Sequence, residues 1–303
     1  PRDWSSDVCS SDLRPLYEAF VRLREQGGLS PAQRRLVDTA IRDAELSGVG
    51  LQGEAQARFH AVQTELADLS TCFSNHVLDA TQAYGLVLTL HADVAGLSAQ
   101  ALALAAQSAR AAGHADASAE HGPSRITLDG PSFLAFMQHA RRRELREEVY
   151  RAYVTRASSG ELDNGPIVQR ILQLRSEAAA LLGFEDYAAL SLASKMAGSA
   201  ATVAGLLEEL RAASYPAALA DLQALREHAR TAGAAEADDL QLWDVAFWAE
   251  RLREARFDYT DEQLRPYFPM PRVLEGMFHL ARDLFGIVIV PADGEVAVWH
   301  PDV

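Results

Sequence analysis

The sequence predicts a mostly α protein, a multi-helix assembly with a short β-hairpin at its C-terminal end. Three observations carry this reading. From Arg14 onward, apolar residues recur at the 3.6-residue period rather than in alternation. Helix-start chemistry appears at Ser30-Pro31-Ala32-Gln33 and again at Thr260-Asp261-Glu262-Gln263, where a capping side chain is followed by Gln three residues on. Near the end, Ile287-Val288-Ile289-Val290 and Val296 to Trp299 flank the turn Pro291-Ala292-Asp293-Gly294, which is hairpin patterning.

In chain order, Ser30 starts a helix whose Leu36, Val37, Ala40, Ile41 and Ala44 share a face. Gly48, Gly50 and Gly53 end it. A second helix from Glu54 aligns Phe59, Val62, Leu66 and Leu69. Leu86 to Leu90 and Ile126 to Leu128 read as short strands or crossings, around a helix at Leu97 to Ala112 and a polar loop at Gly113 to Ser124. After the Asp129-Gly130-Pro131 turn, residues 132–157 read as one long charged helix. Helical pattern returns at Ile167 to Leu182, stopped by Gly183, then at Tyr187 to Met196, Thr202 to Thr231, Asp239 to Phe257 and Val273 to Phe285. Pro216 is expected to bend or interrupt the Thr202 helix.

Composition narrows the class. Across 303 residues, 28 Lys+Arg against 42 Asp+Glu leave a net charge of −14, which argues against a nucleic-acid backbone as partner. A chain of 33.0 kDa is expected to bury roughly three quarters of its unfolded surface. No run of about 18 apolar residues predicts a membrane span, and the first 30 residues lack signal-peptide patterning. Two cysteines, Cys9 and Cys72, make a disulfide framework unexpected and point to a reducing cytoplasm.

Residues 2–13 show neither helical nor strand period, and Asp7 to Asp12 match the translation of the adapter sequence GAC-GTG-TGC-TCT-TCC-GAT. Residues 1–13 are therefore read as a sequencing-adapter artefact or a disordered tail, and on the artefact reading Cys9 carries no biology.

The candidate chemistry is thin. Gly48-Val49-Gly50-Leu51-Gln52-Gly53 fits G-x-G-x-x-G, but a helix precedes it where a dinucleotide site needs a strand, so a helix-to-helix turn is favoured. Nine histidines include no H-E-x-x-H, and no C-x-x-C exists, so a zinc helix is absent and a metal site assembled from scattered histidines is disfavoured. Cys72 and His76 are four apart on a helix and could touch; a half-buried Cys beside a surface His is favoured over a nucleophile pair. Arg141-Arg142-Arg143 invites an anion, but Glu144, Glu147 and Glu148 follow, and the i,i+4 pairs Arg143–Glu147 and Glu147–Arg151 favour a solvated face. The aromatic stretch of Trp243, Phe247, Trp248, Phe257 and Tyr259 reads as helix packing. The residues alone give an acidic helical protein with no catalytic constellation.

Several stretches go further. Leu145-Arg146-Glu147-Glu148-Val149-Tyr150-Arg151-Ala152-Tyr153, Leu181-Leu182-Gly183-Phe184-Glu185-Asp186-Tyr187-Ala188 with Ser194-Lys195-Met196-Ala197, Asp261-Glu262-Gln263-Leu264-Arg265-Pro266-Tyr267-Phe268-Pro269 and Val298-Trp299-His300-Pro301-Asp302-Val303 resemble the thimet oligopeptidase/oligopeptidase A family of zinc metallopeptidases. Asn75-His76-Val77-Leu78-Asp79-Ala80 supports the resemblance, which covers residue 14 to the end and is nearest to the bacterial oligopeptidase A branch.

The resemblance implies a helical N-terminal domain at residues 14–138 and the start of a metallopeptidase catalytic domain at residues 139–303. In that family the zinc helix, its third Glu ligand and the transition-state residues lie beyond the Trp-His-Pro-Asp-Val segment. No catalytic, cofactor-binding or metal-ligating role is therefore assigned to any residue here, His300 included. Zinc and short peptide substrates are expected for the full-length parent, whose missing C-terminal half is the expected partner. No catalytic zinc, nucleic acid or membrane partner is expected for this chain. A non-catalytic helical binding module on the same scaffold is the alternative, and a self-contained Cys72–His76 enzyme is a weaker third. An exposed apolar surface around Trp299 is also expected.

Overall fold

The computed structural model describes residues 10–300. Helices dominate, as the periodicity predicts. α1 (Ser10–Gln26) and α2 (Pro31–Leu46) form an opening helical pair. Ser10 to Leu13, expected to lie outside any element, make the first turn of α1, whereas residues 1–9, with Cys9, lie outside the described residues. Ser30 caps α2 through a complete capping box: its Oγ accepts from the Gln33 backbone while Gln33 accepts from the Ser30 backbone.

The glycine-rich stretch is the turn into α3 (Gly53–Ala83). Gly48 has φ +79°, and a Cβ there would lie 2.6 Å from the Phe59 ring. Arg14 donates to the Val49 and Leu51 carbonyls across this turn. It is a packed corner with its acceptors already used.

α3 runs antiparallel to α7 (Gly165–Leu181). Phe59 and Val62 of α3 meet Leu174 and Ala178 of α7 in one buried cluster. Two bidentate pairs clasp the helices on the outside, Arg58–Glu177 and Arg170–Glu65.

The second core surrounds the sheet. β1 (Leu86–Leu88) pairs antiparallel with β2 (Ser124–Ile126), in the register Leu86 to Ile126. α4 (Ala99–Ala111) and α5 (Gly130–His139) pack over it, and α6 (Arg143–Val154) and α10 (Leu242–Phe257) complete the layer. Leu88, Ile126, Leu128, Phe136, Met137 and Val149 fill this core.

Four expectations need correction. Residues 132–157 form two helices, broken at Ala140 to Arg142. The break has no glycine or proline cause. Arg141 N–H donates to the Ala95 carbonyl, and the Ala140 and Arg141 carbonyls are taken by buried Arg146. α9 (Ala200–Thr231) continues through Pro216, so the helix is not interrupted there. The β-hairpin lies at β1–β2, not at the C-terminus. Ile287 to Val290 and Val296 to Trp299 carry no ladder and are exposed; an isolated strand pair with nothing packed against it is marginal in water.

The fourth correction concerns surface. The chain presents 20599 Å², against about 12,500 Å² for a compact monomer of this mass. The first two thirds of α9 and nearly all of α12 (Met270–Phe285) are exposed on every face. α8 (Tyr187–Leu192) leads into α9, and α11 (Asp261–Leu264) precedes α12.

Candidate functional site

The densest polar junction lies where α5, α6 and α10 meet. Asp244 and Arg146 are 0% and 1% exposed. Arg146 sits three residues before Val149 on the buried face of α6. It donates to Asp244 Oδ1 at 3.0 Å and to the carbonyls of Ala140, Arg141 and Trp243, with its guanidinium 4.2 Å from the Phe247 ring centroid. Arg143 donates bidentately to the same carboxylate, at 2.8–3.1 Å. Asp244 also accepts from the Gln241 backbone, closing a capping box at the start of α10.

Burial pushes the Asp244 carboxyl up, but hydrogen bonds from Arg143, Gln241 and Arg146 outweigh it and hold it below its ordinary value. Burial lowers Arg146 despite its carboxylate partner. The charge triad therefore ties α6 to α10, and through the Ala140 carbonyl to the end of α5, with each Arg146 nitrogen engaged by protein.

His139, Glu250 and Glu254 bring one ligand atom each within 4.8 Å of one another, the spacing of a candidate metal centre. The geometry fits guanidinium instead. Arg253 donates to both Glu250 oxygens at 2.5 and 3.0 Å, and Arg251 donates to Glu254 at 3.0 Å and contacts His139 Nδ1 at 3.0 Å. Arg253 holds the Glu250 carboxyl below its usual range against burial. Two arginines already supply the positive charge that a zinc ion would bring, so the cluster does not fit a catalytic zinc ion.

The basic run is dispersed as well. Arg142 pairs with Asp93 and Glu144, and Arg143 points to Asp244 rather than to Glu147. Glu147–Arg151 forms as expected, at 2.8 Å. The aromatics pack: Phe247 and Trp248 meet edge-on at 5.2 Å, while Arg143 and Arg151 cover Trp243. Phe257 stays 62% exposed.

Cys72 and His76 do touch. Cys72 Sγ is 3.4 Å from His76 Nε2, and His76 Nδ1 is 3.0 Å from Oδ1 of Asn164. Both side chains are half-buried, not one half-buried and one at the surface. The sequence reading missed Asn164, Asp244 and the His139 cluster. Asp163-Asn164-Gly165-Pro166 was legible as a helix start, but no local pattern shows which distant groups its amide meets.

At the C-terminal side, Trp299 is 86% exposed and His300 beside it is exposed. Met270, Met277, Leu284, Phe285, Val288 and Val290, in the stretch of chain that leads to Trp299, are exposed apolar residues as well. A groove of about 350 Å³ between α12 and Ile287 to Ile289 lies on this side. Pro301, Asp302 and Val303 of the matched motif lie outside the described residues. Among the described residues, no helix is long and apolar enough to cross a membrane.

Comparison with known proteins gives two family profiles. Residues 136–303 match peptidase family M3, and residues 7–56 match the neurolysin/thimet oligopeptidase N-terminal domain. The chain is 50% identical over 293 residues to organellar oligopeptidase A, chloroplastic/mitochondrial, of Arabidopsis thaliana, covering 96% of this chain and 37% of that protein. It is 49% identical to the probable cytosolic oligopeptidase A of the same plant, covering 96% and 42%. It is 40% identical to oligopeptidase A of Escherichia coli, covering 95% and 42%. The chain thus spans about two fifths of the length of the curated relatives it matches.

Proposed function

The chain belongs to peptidase family M3, and on that premise we propose that it is the front portion of a zinc-dependent oligopeptidase that hydrolyses short peptides. In this reading residues 14–138 are the N-terminal helical domain, and residues 139–303 open the catalytic domain. The zinc helix and its third ligand come from polypeptide that these residues do not include. The carrying observation is a mismatch: the chain covers 37–42% of its oligopeptidase A relatives, holds no H-E-x-x-H, and exposes α12 and Trp299.

When bound, zinc would polarise the scissile carbonyl and activate a water. The residues present here do other work. The Arg146–Asp244–Arg143 junction fixes α5, α6 and α10 as a rigid block. With the α3–α7 pair, it would form one wall of a channel that admits short peptides and excludes folded proteins. The exposed apolar face of α12 is where the rest of the catalytic domain would seat. Neither catalytic zinc binding nor turnover is expected of these residues alone. A cytoplasmic location accords with the expectation from cysteine usage, although one close relative carries an organellar name.

The reading is checked by sequencing the gene past the Val303 codon. A continuing frame that reaches H-E-x-x-H supports it. A stop codon directly after Val303 supports the alternative, a non-catalytic helical binding module.

A further inference from the structure

We propose that Cys72 is an activated thiol, its proton taken by His76 and the imidazole held by Asn164, and that it reacts with soft electrophiles and low-molecular-weight disulfides. The geometry fixes each role in turn. The Phe73 carbonyl can only accept, so the Asn164 group 3.1 Å from it is the NH₂. That leaves Oδ1 facing His76, so Nδ1 carries the hydrogen and donates across 3.0 Å. Nε2 therefore presents its lone pair to Cys72 Sγ at 3.4 Å.

Asn164 is unusual in its own right. It occupies the N-cap of α7, where an Asn side chain ordinarily accepts from the helix backbone, yet it makes no such bond. Its amide is spent on α3, on His76 and Phe73, and it is 5% exposed. Proton transfer from sulfur to Nε2 leaves the Nδ1–H bond to Asn164 intact and turns the Cys72–His76 contact into a thiolate–imidazolium pair. Cys72 is half-buried and not sealed in the core, as reaction with a small reagent requires. Acyl transfer is not supported, because the helical backbone amides around the pair are used within α3 and none is aimed at an oxyanion.

With a disulfide such as oxidised glutathione, the Cys72 thiolate attacks one sulfur. The mixed disulfide forms, the original S–S bond breaks, and the departing thiolate takes the proton from the His76 imidazolium. One thiol and one disulfide go in, and one of each comes out. The proposal is independent of the peptidase reading.

The test is the rate of alkylation of Cys72 by iodoacetamide at neutral pH, read on the Cys72 peptide by mass spectrometry so that Cys9 does not contribute. The folded 303-residue chain is compared with the chain in guanidinium chloride and with folded H76N. The expected result is on the order of ten-fold faster reaction when folded than when unfolded, loss of that gain in H76N, and a glutathionyl adduct on Cys72 of the wild-type chain. A folded rate at or below the unfolded rate, the result for an ordinary half-buried thiol, overturns the proposal. So does a folded H76N that reacts as fast as wild type, and absence of the adduct overturns the disulfide exchange. If H76N does not fold, the comparison of folded with unfolded wild type decides.

Discussion

Arg146 and Asp244 show how much one buried pair can set. Each is almost wholly inaccessible, so removing one partner leaves the other charge buried and uncompensated. Asp244→Asn should cost about 3–5 kcal/mol in denaturant unfolding, because Arg146 and Arg143 both lose their carboxylate. The pH dependence has a definite sign. The folded-state carboxyl titrates below its ordinary value, so its contribution is complete above the unfolded pKa of about 3.9 and fades as pH falls toward the folded one. Wild type should therefore lose stability below about pH 4, and Asp244→Asn should flatten that part of the curve. A curve unchanged by the substitution would deny the carboxylate this role. The junction was only half legible in the sequence. Arg146 stands three positions from Val149 on an apolar face, which marks it as out of place, but its partner is 98 residues away.

Elements with their cause inside a short window were readable, and those with their cause elsewhere were not. The Ser30 box and the helix stop at Gly183 (φ +80°) follow from local chemistry. The break between α5 and α6 follows from Ala95 and Arg146, which no periodicity contains. The expected C-terminal hairpin had the right residue types, but strands need a surface to pack on, and Ile287 to Val290 stay about half exposed or more, beside α12 alone. Two substitutions test the element scale. Gly48→Ala places a methyl against Phe59 in a left-handed backbone position and should cost about 1–3 kcal/mol. Leu174→Ala removes a wholly buried side chain between α3 and α7 and should cost about 2–5 kcal/mol. Both are measured by urea unfolding followed by circular dichroism, and a loss below 0.5 kcal/mol at either site, roughly the scatter of surface substitutions, would mean the corner or the helix pair is looser than described.

At the scale of the whole molecule the surplus surface is the governing fact. A chain presenting 20599 Å² buries only a little over half of the about 48,000 Å² its unfolded form exposes. The acidic, helical character was readable from composition and period; this incomplete burial appears only when α9 and α12 are placed. Because α12 packs on little, deleting residues 258–303 should change the unfolding free energy of the remainder by less than about 1 kcal/mol, while backbone amides of α12 in the intact chain should exchange rapidly. Strong protection of α12 would contradict its exposure. The most direct measurement is hydrolysis of a fluorogenic short peptide by the purified 303-residue chain, with zinc supplied and then removed by a chelator. No turnover above the buffer blank, with or without zinc, is the result expected if catalysis needs the polypeptide that completes family M3 relatives. Chelator-sensitive turnover by this chain alone would contradict it.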